Sequence, residues 1–188
     1  MTLRNLQLSR ILVLAAVLLP AAVGWSATTE ADAANTAAPD AIAALQSENE
    51  HLRSLIPSQS HAMMDVAYHF TNLWFAGQHR NWPLAQFYFN ETRNHIQWAV
   101  RLVPVRKTSH GDLQLGDMFS ALDATLLADL KQQIVAKDLR GFTKSYRAAI
   151  TGCNACHTAA DKPFLHVTVP DQPEASVIDF APTPAPGK

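Results

Sequence analysis

The sequence predicts an all-α protein, an antiparallel four-helix bundle. Three observations carry that reading. Four stretches of roughly 15 to 22 residues repeat apolar side chains at three- and four-residue spacing. Mostly short connections containing Pro, Gly or polar residues separate them, as antiparallel neighbours in a bundle require. Strand-like alternation is missing except for a weak trace over Phe164 to Val169. The chain has 188 residues, 48% of them apolar, which is enough for one core with a leader and tails.

The first bundle helix is expected from about Ser60 to Gly77, with Met63, Val66, Ala67, Phe70, Leu73 and Trp74 on one face. Ser58 or Ser60 is the expected cap and Gly77 the expected end. The second opens at Asn81-Trp82-Pro83, where an early Pro loses no helical hydrogen bond, and stops near Val103 before Pro104. Arg106 to Gln114 is predicted to be a polar loop. The third spans about Asp117 to Ala136, with Phe119, Leu122, Leu126, Leu127, Leu130 and Ile134 inward. Asp138 is expected to cap the fourth, which turns Phe142, Tyr146 and Ile150 inward and ends near Ala160 before Pro163. The bundle thus occupies residues 58–169. Residues 170–188 contain five prolines and are expected to be an extended tail.

The N-terminal part is different in kind. Arg4 and Arg10 precede a short apolar run, Ile11 to Val23, broken only by Pro20 and followed by small residues. This is the pattern of a secretory signal peptide over residues 1–27; a retained N-terminal anchor is the competing reading. Small-x-small positions at Ala22-x-Gly24 and Ala31-x-Ala33 leave the cleavage site open. Residues 28–40, rich in Ala, Thr, Asp and Glu, are expected to form a linker. Over residues 41–56, Ile42, Leu45, Asn49, Leu52 and Ile56 recur at heptad spacing, with Asn at one seam position. That heptad helix either forms a homodimer through residues 42–56 or packs on its own domain.

Charge narrows the partners. The formal net charge is −1, and loss of Arg4 and Arg10 with the leader takes it to −3. There is no basic stripe of the kind that binds nucleic acid. No stable membrane insertion is expected once the leader is removed.

The chemistry concentrates in Cys153-Asn154-Ala155-Cys156-His157, which holds both cysteines of the chain. Two thiols three residues apart can each add to one vinyl group of a haem, and the adjacent imidazole then ligates the iron. Cys-x-x-Cys-His is the signature of c-type attachment, so the expected cofactor is one haem c per chain, covalently held by Cys153 and Cys156 with His157 proximal. The alternatives are a structural zinc site, a redox disulfide and a plain disulfide. Zinc normally wants four Cys or His ligands, a redox pair normally sits near a βαβ pattern, and a disulfide over this helical spacing is strained. Trp74, Trp82, Phe87 and Trp98 are candidate walls of the haem slot, or else ordinary core.

The sixth iron position decides between electron transfer and gas binding. Met63, Met64, Met118, His61 and His69 are candidates. Met63 is preferred because it shares the apolar face with Phe70 and Trp74, whereas Met64 points about 100° away. His95, His110 and His166 have no spacing that links them to the motif.

A four-helix pattern with the Cys153-x-x-Cys156-His157 motif in its last helix resembles the class II c-type cytochromes, the cytochrome c-prime family, over about residues 60–164. Asn72-Leu73-Trp74-Phe75-Ala76-Gly77, Asn81-Trp82-Pro83-Leu84-Ala85 and Asp179-Phe180-Ala181-Pro182 also look like segments of small exported monohaem cytochromes. The resemblance implies that Cys153 and Cys156 carry the haem and that His157 is proximal. Low-spin members take a distal Met from the first bundle helix, which Met63 matches; high-spin members leave that position open and bind small gases. The heptad segment and the Pro-rich tail depart from the family pattern. The expected function is electron transfer in the periplasm with redox partner proteins. The alternative is a haem-based binder or sensor of nitric oxide or carbon monoxide. An enzyme such as a peroxidase is not expected, because no distal acid–base pair is evident on the first two bundle helices.

Overall fold

The computed structural model describes the backbone of residues 28–182 and the side chains of residues 38–182. The predicted leader therefore lies outside the described residues. The chain divides into two units, residues 1–54 and 55–188.

Among the described residues, the first unit holds α1 (Thr28–Leu55), which ends one residue past its boundary. It runs through residues 28–40, where composition predicted a linker. Five of those residues between 31 and 38 are alanine, the strongest helix former, and they sustain the helix even across Pro39. The heptad side chains are exposed, Leu45 at 70%.

The second unit holds the four-helix arrangement. Its helices are α2 (Gln59–Gln78), α3 (Trp82–Leu102), α4 (Leu115–Leu122) continuing through a π-helical turn (Asp123–Leu127) into α5 (Ala128–Ala136), and α6 (Leu139–Ala159). The predicted boundaries are close. Asn81 caps α3 by accepting from the Leu84 N–H at 3.2 Å, and Asp138 caps α6 by accepting from the Arg140 N–H at 3.0 Å. Ser58 occupies the N-cap position of α2, but its hydroxyl bonds to Ser60 Oγ and His61 Nδ1 rather than to a backbone N–H.

Gly77 does not end α2. The helix passes through it, and the turn is made by Arg80 at φ 57°. Gly77 serves packing instead: a Cβ there would sit 2.2 Å from the Phe142 ring of α6. Phe70 stacks on Tyr146 with centroids 4.2 Å apart, and the Tyr146 hydroxyl donates to the Phe70 carbonyl at 2.8 Å. Trp74 lies against both Phe142 and Tyr146. These pairings make α2 and α6 antiparallel and put Leu73, Phe142 and Tyr146 at the centre of the core.

The predicted loop after α3 is a hairpin, β1 (Val105–Thr108) with β2 (Gly111–Gln114), paired Val105↔Gln114 to Thr108↔Gly111. A two-residue turn, Gly111 at φ 114° and a Lys107–Asp112 ion pair of 2.7 Å supply what alternation alone did not signal.

Residues 160–182 form neither helix nor strand. The segment is nonetheless strapped to the bundle. Ala175 and Phe180 are buried, the Ala175 N–H donates to Asn72 Oδ1, and Asn81 Nδ2 donates to the Ala181 carbonyl at 2.8 Å. Phe180 packs near Phe75, His79 and Tyr88.

Candidate functional site

Cys153, Cys156 and His157 occupy the last turns of α6, continuing the core-facing line of Phe142, Tyr146 and Ile150. Both thiols are free. Burial pushes the Cys153 thiol up to about 11, and burial also raises Cys156, against a smaller lowering by the Arg106 guanidinium. Thiols so shifted stay protonated at neutral pH, the opposite of the activated thiolate a redox pair needs. Nor do the donor atoms of Cys153, Cys156 and His157 converge as a metal-binding trio.

The segment after α6 folds back along the motif and holds it. Asn154 grips Val167 at two points: Nδ2 donates to the Val167 carbonyl at 3.0 Å, and Oδ1 accepts from its N–H at 2.7 Å. The Leu165 carbonyl lies 2.6 Å from His157 Nδ1. A carbonyl can only accept, so Nδ1 carries the proton and Nε2 keeps its lone pair free. This also explains why Phe164 to Val169 is not a strand, since part of its backbone bonding goes to the motif's side chains. On the other side, Asp161 accepts from Ser109 N–H at 2.5 Å and from Ser109 Oγ at 3.0 Å, anchoring the hairpin tip to the end of α6.

Trp82 packs edge-on against Phe142, and Trp74 against Phe142 and Tyr146, in the core above the motif. Phe87 is 50% exposed and Trp98 37%. Leu122 and Leu126, which flank the start of the π-helical turn, lie beside the motif: a Cβ on Gly152 would meet their Cδ1 atoms at 2.6 and 2.8 Å. A π turn adds a residue within one helical turn and re-aims the side chains around it. Sequence periodicity marked both leucines as inward, but not the turn that directs them. The same turn presents Asp123 to Arg93, which donates to both its carboxylate oxygens at 2.6 Å.

Among the candidate distal ligands, Met64 is 66% exposed while Met63 is partly buried. Gly77 lies level with Phe142, and Phe70 with Tyr146. Extending that antiparallel register at 1.5 Å per residue brings Met63 to about the level of Cys153 to Cys156. One turn before Met63, Gln59 accepts from Arg106, the guanidinium that acts on Cys156. Two clefts open elsewhere, about 600 Å³ beside Lys137 and Asp138 and about 500 Å³ beside Arg93 and Asp123.

A second cluster lies between α2 and α3. The donor atoms of His69, Glu91 and His95 all fall within 4.8 Å of one another. His69, a candidate distal ligand by sequence, and His95, which no spacing links to the motif, meet with ring centroids 4.8 Å apart. Burial, then the neighbouring His95, holds the His69 imidazole below its ordinary value. The overlooked signal was an acid four residues before a histidine on each helix, Asp65-x-x-x-His69 and Glu91-x-x-x-His95.

The fold and motif together define a class: a four-helix chain with a Cys-x-x-Cys-His sequence ending its last helix. Compared with known proteins, the chain matches no family model, no curated protein and no solved structure.

Proposed function

We propose that the chain is an exported, periplasmic electron carrier holding one haem c. Cys153 and Cys156 each add S–H across a vinyl double bond to give two thioethers, His157 is the proximal iron ligand, and Met63 is the distal one. The haem supplies a one-electron iron couple; the chain makes and breaks no substrate bond. The observation that carries this reading is the motif with its imidazole already oriented, Nδ1 on the Leu165 carbonyl and Nε2 free. Such a bond fixes a ligating ring and raises its basicity. The Asn154 clasp supports the same turn, and Leu122 and Leu126 offer an apolar wall. No described helix is long and apolar enough to cross a membrane. The partners of such a carrier are other redox proteins.

The test is the optical spectrum of the ferrous protein with and without carbon monoxide. A sharp low-spin spectrum unchanged by carbon monoxide is expected. A high-spin spectrum that shifts at once points to the gas-binding role, and a purified periplasmic protein without covalent haem overturns both.

The exposed heptad face of α1 suits a second copy of the chain, with Asn49 setting register. The mature protein is then expected to sediment as a dimer, and deletion of residues 28–56 to give a monomer that keeps its haem. A monomeric full-length protein rules out the dimer.

A further inference from the structure

The contact between α2 and α3 has small residues at both ends and polar ones in the middle. Ala62, Ala76, Ala85 and Ala99 are each at most 2% exposed, so the two helices can approach closely. Between them, Asp65 and His69 on α2 meet Glu91 and His95 on α3. Asp65 Oδ2 is 3.8 Å from His95 Nε2, and Glu91 Oε2 is 3.9 Å from His95 Nδ1. These separations are too long for hydrogen bonds. One donor atom each from His69, Glu91 and His95 falls within 4.8 Å of the others, with Asp65 beside His95.

Two further details point to a ligand. His69 Nδ1 is buried and has no hydrogen-bond partner, an arrangement that costs stability unless something fills it. His95 Nδ1 lies 2.8 Å from the Glu91 carbonyl, which fixes the proton there and leaves Nε2 as a free donor facing Asp65.

We propose that His69, Glu91 and His95, with Asp65 as fourth donor, bind one divalent first-row transition ion of the zinc type. Two neutral imidazoles and two carboxylates suit such an ion and balance its charge. Metal–donor bonds of about 2.0–2.2 Å put donors roughly 3.5 Å apart, so the cluster needs to contract only modestly from its 4.8 Å limit. The Asp65 side chain is 51% exposed and opens the site to solvent. With four protein donors from two helices the ion acts as a staple between α2 and α3. The site is independent of what Cys153 and Cys156 carry.

Zinc chloride titrated calorimetrically into the full-length protein at pH 7 tests the assignment. One ion per chain is expected, with a raised Tm. His69→Gln and His95→Gln should each weaken binding by about 100-fold and Glu91→Gln by at least about 10-fold. Zinc should no longer raise the Tm of either histidine variant. No binding at micromolar zinc, or binding that survives both histidine substitutions, overturns the proposal.

Discussion

Met63→Ala is expected to turn a low-spin haem protein into a high-spin one that takes up carbon monoxide stoichiometrically, with a lower reduction potential. A thioether opposite histidine raises the potential and closes the sixth position, so its loss reverses both. Met64→Ala is the matched control. The two side chains differ by one residue but by about 100° around the helix, and Met64 is 66% exposed. Its replacement should leave spectrum and potential unchanged. Measured by optical spectroscopy and redox titration, an unchanged Met63→Ala protein would remove Met63 from the ligand set. A Met64→Ala protein that loses its low-spin spectrum would move the assignment by one residue.

The second large effect is on stability. Phe142 is fully buried and its ring fills the space left by the missing side chain of Gly77. Phe142→Ala removes that ring and leaves a cavity, an expected loss of about 3–5 kcal/mol. Gly77→Ala has the opposite defect. Alanine favours the helix by up to about 1 kcal/mol, but its Cβ would lie 2.2 Å from the ring, and the fully buried ring cannot readily yield. Overpacking of this kind costs about 1–3 kcal/mol, so a net loss is expected. In the double variant Gly77→Ala/Phe142→Leu the smaller side chain makes room, and the two changes should cost less together than their sum. Denaturant unfolding of the parent, Gly77→Ala, Phe142→Leu and the double variant measures this directly. Strict additivity would show that the two positions do not compete for the same space.

Much of the fold was legible because it depends on local pattern. The helical repeats of Val66, Phe70 and Leu73, or of Phe142, Tyr146 and Ile150, reflect the period of the helix itself, and Asn81 and Asp138 cap through bonds only two or three residues long. The candidate motif Cys153-x-x-Cys156-His157 was legible for the same reason, since its spacing lies within one segment. Features that depend on a distant partner were not. Gly77 reads as a helix end until Phe142 is placed against it. The strap over residues 165–181 lacks regular structure of its own, so its place is set by Asn72, Asn81, Asn154 and His157. By itself the sequence determined where the four bundle helices run and where the paired thiols and imidazole stand. Only the tertiary structure decided that His157 is held by Leu165, that Leu122 and Leu126 flank the motif, and that His69 meets His95. Side-chain period is a property of one segment, whereas convergence depends on how two segments are set against each other.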